Sequence, residues 1–316
     1  MTGAEKKEVY RSLCAEGKIT DLFMQPWWLD CTGEWEVALA VRNGQVTGAM
    51  PYALSSKWGM RMITMPHLTH HLLIWMEKPE GISDRKWLTR EKQTIWLLID
   101  DLPRYAVFSM VFEARSFSNW LPFHWKGFRQ EVRYTFEIER KEAQDLDEQL
   151  NRNLRRSLKA TAEKMSVVRG IVPGTFYDIC RNTYRRQNMK MPYSLDELMK
   201  IDTAVTNHQA GVALGATNQK NELVAVAYLL WDRERAYYFL AGDTEEGKSA
   251  GASIFLCREA LRIAFDEKEL STFDFCGSMI ESITEVRRQF GAKPVVLMKL
   301  FKAGYKWLDI LYTLTR

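Results

Sequence analysis

The chain has 316 residues, enough for two domains with substantial cores. Hydrophobic residues make up 46% and charged residues 27%, which excludes disordered and fibrous classes and fits a folded globular protein. The net charge of +4 is uneven: residues 151–190 hold ten Lys/Arg against Glu163 and Asp178, so the remainder is near −4, which favours a local anionic partner over general DNA affinity.

The first residues, Met1-Thr-Gly-Ala-Glu-Lys-Lys-Glu, carry charge with no apolar stretch behind them, so no signal peptide is expected. The longest apolar run, residues 223–231, falls well short of the roughly 20 residues of a membrane-spanning helix. Cys14, Cys31, Cys180, Cys257 and Cys276 are scattered without a Cys-x-x-Cys pair, as expected of buried thiols in a reducing, cytoplasmic setting.

Val37-Ala-Leu-Ala-Val-Arg-Asn-Gly-Gln-Val reads as strand, turn, strand, with Asn43-Gly44 as the turn. Residues 61–65 read as a further strand. His67, His70 and His71 follow, but no nearby carboxylate or cysteine completes a ligand set, and strand alternation would aim His70 and His71 apart. No metal is expected. The same hairpin pattern returns at Val212-Ala-Leu-Gly-Ala-Thr-Asn-Gln-Lys-Asn-Glu-Leu-Val, with a strand-like run at 236–240. Two copies of one mixed α/β unit are therefore expected, divided as residues 1–140 and 141–316.

Between the copies lies a helix opened by Asp145, Asp147 and Glu148. Leu146, Leu150, Leu154 and Leu158 form its apolar stripe, while Arg152, Arg155, Arg156 and Lys159 share another face. Like charges at i, i+4 are destabilising by about 0.2–0.5 kcal/mol per pair. An unbalanced stripe therefore asks for an anion, although a solvated face is the plainer alternative. A second helix near 176–190 adds Arg181, Arg185 and Arg186, whose guanidinium forks suit phosphate or carboxylate.

After the strand at 236–240 comes Gly247-Lys-Ser-Ala-Gly-Ala-Ser, then a run in which Ile254, Cys257, Leu261, Ala264 and Phe265 recur at helical spacing. Residues 247–253 are thus expected to present free backbone N–H groups to a pyrophosphate or carboxylate, with Lys248, Gly251, Ala252 and Ser253 as the cofactor-binding set. Phe273-Asp-Phe-Cys-Gly-Ser and Val286-Arg-Arg-Gln-Phe-Gly-Ala follow.

Phe273-Asp-Phe-Cys-Gly-Ser with Phe290-Gly-Ala resembles the closing motif of Fem-like proteins. These are tandem-GNAT transferases related to the peptidyltransferases that add amino acids to peptidoglycan precursors. Asn151-Arg-Asn-Leu-Arg-Arg-Ser-Leu-Lys-Ala resembles the basic helix that opens their second domain, Phe23-Met-Gln-Pro-Trp-Trp-Leu their early Gln-and-Trp segment, and Met65-Pro-His-Leu-Thr a strand-end motif of their first. The resemblance implies two tandem GNAT-like domains of mixed α/β fold and an aminoacyl-tRNA donor. GNAT enzymes that bind coenzyme A carry Gln/Arg-x-x-Gly-x-Gly/Ala before the equivalent helix. Here Lys248 and Ser253 depart from that pattern, which leaves a coenzyme A thioester as the alternative donor.

Amide formation needs a neutral amine, an oxyanion donor and a protonated leaving group. Asp274 is the candidate base or holder of the incoming ammonium, with a strand-end turn role as the alternative. Tyr238 is the candidate acid to the leaving group, with sheet packing as the alternative. Arg152, Arg155, Arg156, Lys159 and Arg185 are the candidate substrate-binding cations. The acceptor is expected to be a small molecule or peptide bearing an amine. Ser278 and Glu281 read as a capping box for the next helix. The tail at 302–316, basic and amphipathic with Trp307, Leu308, Ile310 and Leu311, offers a peripheral membrane contact or docks on the first domain. A coenzyme-A-dependent N-acyltransferase and a non-catalytic binding protein are the competing readings.

Overall fold

The computed structural model describes residues 1–57, 59–142, 150, 152–277, 279–305, 307, 308 and 310. The expected helix start at Asp145, Asp147 and Glu148, the candidate cap Ser278 and most of the tail beyond 305 lie outside the described residues. The chain divides into two compact units, residues 1–133 with 296–316, and residues 134–295.

In the first unit, β1 (Trp35–Arg42) and β2 (Gln45–Lys57) form an antiparallel hairpin that closes at Arg42↔Gln45. Asn43 and Gly44 both have positive φ (51° and 79°), the mirror-image turn whose twist suits a two-residue hairpin. β3 (Met60–Thr64) adds antiparallel to β2, and the two-residue β4 (Trp75–Met76) also pairs with β2. α3 (Asp84–Asp100) then crosses to β5 (Val107–Glu113), which runs parallel to β3. A parallel neighbour requires such a crossover. β12 (Lys293–Ala303) pairs antiparallel with β5 through residues 297–303. Two helices precede the sheet, α1 (Gly3–Ala15) and α2 (Pro26–Cys31), and a short α4 (Leu121–Trp125) follows β5.

The early Gln-and-Trp segment is structural. Gln25 Nε2 donates to the carbonyls of Ile19 (2.9 Å) and Asp21 (3.2 Å), and Trp28 Nε1 donates to Thr69 Oγ1 at 3.0 Å. His70 and His71 do not point apart. They sit in an irregular loop, where Leu68 has φ 54°, and their Nδ1 atoms meet at 3.0 Å. Strand alternation fails there because there is no strand.

The second unit repeats the plan. β8 (Gly211–Thr217), β9 (Leu223–Trp231) and β10 (Arg235–Asp243) form an antiparallel meander. Asn218 closes the first turn, its Oδ1 accepting the N–H groups of Lys220 and Glu222. α8 (Glu245–Ser249) and α9 (Ala252–Arg262), which ends in a π turn at Ile263–Glu267, lead to β11 (Thr272–Asp274), parallel to β10. The strand order is β6-β11-β10-β9-β8-β7, where β6 is Arg129–Glu139 and β7 Ser166–Arg169. α5 (Arg152–Ala162), α6 (Pro173–Arg186), α7 (Leu195–Asn207) and α10 (Glu281–Gln289) complete it. Leu154 and Leu158 of α5 join Leu256, Ala260, Leu261 and Phe273 in one buried core, as their spacing of four predicts. The capping box does not frame α10: its N-cap is Ile280, which offers no side-chain acceptor, and Glu281 is the first helical residue.

Candidate functional site

The second unit's sheet opens where β10 and β11 part. Their pairing covers Arg235↔Thr272, Ala236↔Phe273 and Tyr237↔Asp274, whereas β10 continues to Asp243 with β9 on its other side. The register against β9 slips between Tyr238 and Leu240, so Phe239 is an extra residue. A bulge of this kind bends a strand and re-aims its side chains. At the base of the gap, Arg235 and Glu137 form a buried ion pair at 3.2 Å.

Asp274 ends β11 and is wholly buried. Its Oδ1 accepts the Thr135 hydroxyl and the Cys276 N–H (2.8 Å), while Thr135 Oγ1 accepts the Gly277 N–H at 2.9 Å. Cys276 and Gly277 are both left-handed (φ 55° and 75°), which turns the chain back under the carboxylate. The predicted turn-forming contact therefore exists. It uses one oxygen only: Asp274 Oδ2 is buried with no hydrogen-bond partner among the described residues, a costly state that points to a ligand or water.

A second unsatisfied group lies within electrostatic reach. Arg287 of α10 packs its guanidinium over Phe275 and Phe136, 5.7 and 6.0 Å from the ring centroids. Its Nη2 donates to the Phe275 carbonyl at 2.9 Å, and its Nη1 is buried without a partner. Burial lowers its pKa from the ordinary arginine value, opposed by Cys276 and Asp274. It remains a cation, because guanidinium does not lose its proton in proteins. Sequence reasoning overlooked Arg287, although it shares a helix face with buried Phe290 three residues on, and that spacing was a usable signal.

Tyr238 lies on the bulged segment, half-buried, its ring 6.2 Å from Phe273 and 6.5 Å from Phe275. Burial, then the neighbouring Cys257, raise its pKa well above the usual tyrosine value. The thiols are raised too, Cys276 by burial and then by Asp274, and Cys180 by burial to about 12. They stay protonated near neutral pH and do not supply a thiolate nucleophile.

The stretch after β10 is more ordered than a free loop. Thr244 caps α8 by accepting the Gly247 N–H at 3.0 Å, and the N–H groups of Lys248, Ala250 and Gly251 are taken by carbonyls of Thr244, Glu246 and Lys248. The expected row of free amides over 247–253 is thus narrowed to the first turn of α9. There the first intrahelical bond runs from Phe255 N to Gly251 O, leaving the N–H groups of Ala252, Ser253 and Ile254 without helical partners. Gly251 is left-handed (φ 77°), a conformation glycine adopts without strain. Gly247 has another reason: a Cβ there would lie 2.1 Å from the Val224 carbonyl oxygen. Lys248 is exposed, and the Ser253 hydroxyl donates to Asp243 Oδ2 at 2.7 Å.

Asp243 organises this corner. Arg186 donates to its Oδ1 and, at 2.8 Å, to its carbonyl, while its N–H donates to Thr183 Oγ1 at 2.8 Å. Arg186, not Arg185, is therefore the α6 cation that reaches this corner; Arg185 is exposed on the same helix. On α5, Arg152, Arg155, Arg156 and Lys159 are all exposed, and Thr161 Oγ1 at the end of that helix donates to the Ala250 carbonyl at 3.1 Å. The buried face of α5, which carries Leu154, Leu158 and Thr161, thus meets the turn before α9, and the four cations lie on the opposite, exposed face.

Residues 128–281 match the family described as an acetyltransferase (GNAT) domain. Among solved structures, the chain is similar to FemX with a TM-score of 0.65 at 11% identity, covering 95% of this chain and 96% of that one. It is similar to L-PGS of Bacillus licheniformis, with a TM-score of 0.58 at 10% identity over 98% and 95%. A tandem GNAT protein from the clavulanic acid biosynthesis pathway gives 0.56 at 11% identity over 96% and 95%. No curated protein sequence matches the chain. Among the described residues, no helix is long and apolar enough to cross a membrane. Residues 128–281 are thus similar to a GNAT acetyltransferase domain, and the chain has the mixed α/β fold of FemX and the tandem-GNAT proteins over nearly its full length.

Proposed function

We propose that the second unit is an N-acyl- or aminoacyltransferase that joins an activated carboxyl group to an amine. The observation that carries this reading is the pair of buried, unsatisfied groups, Asp274 Oδ2 and Arg287 Nη1, beside the parting of β10 and β11. The acceptor arrives as an ammonium that Asp274 Oδ2 holds and from which it takes a proton. The neutral amine attacks the donor carbonyl, a C–N bond forms, and the π pair moves to oxygen. Arg287 Nη1 donates to that oxyanion. Collapse expels the ester oxygen or thioester sulfur, which takes a proton from the Tyr238 hydroxyl, and the tyrosine is reprotonated from the proton lost by the amine. Positioning supplies much of the rate, because an activated ester already leaves readily.

An aminoacyl-tRNA is the favoured donor, since Arg152, Arg155, Arg156 and Lys159 form an exposed basic face on α5, suited to a polyanion, and the end of that helix meets the turn before α9. A phosphate of the donor would meet the amides of Ala252, Ser253 and Ile254. A coenzyme A thioester is the second reading, favoured by those same amides and by the match to an acetyltransferase family.

Thermal shift with coenzyme A, acetyl-coenzyme A and aminoacyl-tRNA separates the two. A ligand at a hundred times its dissociation constant adds about 2.7 kcal/mol of apparent stability. Stabilisation by tRNA alone supports the first donor, and stabilisation by coenzyme A the second. Stabilisation by neither, with no amide formed from any of them, removes the transferase reading in favour of a binding protein.

A further inference from the structure

The first unit carries an unexplained basic groove of about 710 Å³ between the end of β1 and the first two turns of α3, within the usual size range of small-ligand sites. Arg42, Ser83, Arg85, Lys86, Thr89 and Arg90 line it, and no acidic residue does. Several cations elsewhere in this unit have partners: Lys6 with Asp101, Arg11 with Asp30, Lys18 with Glu16, and Lys126 with Asp100. Arg42, Arg85 and Lys86 make no ion pair among the described residues. Arg90 sits deeper, 3.7 Å from Glu77, with its Nε buried and unsatisfied.

The arrangement is electrostatically unfavourable on its own. Arg85 and Lys86 stand in the first turn of α3, where the helix dipole favours their neighbour Asp84 and disfavours cations. Lys86 and Arg90 are a like-charged i, i+4 pair. The Ser83 side chain makes no capping bond. Four cations converging on one concavity, three of them unpaired and two at the wrong end of a helix, are what an anion would relieve.

We propose that this groove binds a phosphate-bearing ligand, a phosphomonoester or diphosphate group, through Arg42, Arg85, Lys86 and Arg90. The guanidinium forks take two oxygens each, and Lys86 supplies a point charge. This site is separate from the transfer chemistry and stands or falls independently of it. A soluble diphosphate and a phospholipid headgroup present the same group, so both are probed.

Calorimetry with inorganic pyrophosphate and sedimentation with phosphatidylcholine vesicles, with and without phosphatidic acid, are run on three proteins. These are the unaltered chain, Arg42→Gln/Arg85→Gln/Lys86→Gln, and the control Lys200→Gln/Lys220→Gln, two exposed cations outside the groove and the transfer site. At least tenfold weaker binding of either probe by the groove variant, with the control unchanged, is expected, and the probe affected names the source. Failure of the unaltered chain to bind either probe, equal binding by the groove variant, or an equal loss in the control would overturn the proposal. If the triple variant does not fold, Arg42→Gln and Lys86→Gln singly should each weaken binding by about threefold, and no change in either would overturn it.

Discussion

The two units build the same parallel pair and treat the space beside it in opposite ways. In the first, β3 ends at Thr64↔Ser109, and the edge of β5 beyond it is covered at once. Met65 Sδ accepts the Val111 N–H at 3.2 Å, Leu72 N donates to Val111 O at 3.0 Å, and Glu113 N donates to Leu72 O at 3.1 Å. In the second, β10 runs six residues past its last pairing with β11 and bulges at Phe239. A single repeated topology thus yields one closed edge and one opened gap. The gap is the side that holds an unsatisfied carboxylate and guanidinium, which is why the chemistry is assigned there.

The sharpest way to break that contrast is to remove the groups beside the gap. Asp274→Asn keeps the shape and should lower the rate of amide formation by about 10²–10⁴-fold, the usual contribution of a positioned acid or base. An unchanged rate would leave Asp274 as a strand-end turn former only. Arg287→Met should lower kcat by about 10²–10³-fold with donor affinity retained, and Arg287→Lys should recover part of it. A loss confined to donor affinity would move Arg287 out of the oxyanion role.

Smaller effects sharpen the same picture. Arg155→Glu/Arg156→Glu should weaken a tRNA donor steeply as salt rises, because each phosphate contact releases counterions. Binding that ignores salt would remove the α5 face. Gly247→Ala should destabilise the chain by about 1–3 kcal/mol in denaturant titration, since the new methyl overpacks against β9. Least of all, Glu267 is held at a pKa of about 2, chiefly by its hydrogen bond to Arg169. Its folded value lies below its ordinary 4.5, so its stabilisation is present above that value and is lost as pH falls through about 2. Glu267→Gln should lower the melting temperature slightly at pH 7, with a difference that shrinks below pH 4.5.

Much of the architecture was legible locally. Asn43-Gly44 dictates its hairpin, and the four-residue spacing of Leu154 and Leu158 marks the buried face of α5. The glycine run was read correctly as preceding a helix but not as a helix itself, because Thr244 capping Gly247 is a three-residue contact inside a polar stretch. The site was only half legible. Thr135 reaches Asp274 across 139 positions, a distance no periodicity encodes. Arg287 looked like one cation among several until its neighbours Phe136 and Phe275 were in place.

Hydrogen exchange resolved along the backbone tests the central claim most directly. Addition of the donor should slow exchange at residues 238–242 of β10 and at Ala252, Ser253 and Ile254, and leave β3 and β5 unchanged. Protection of β3 and β5 instead, or no protection at the β10 edge with a donor that is turned over, would contradict the account.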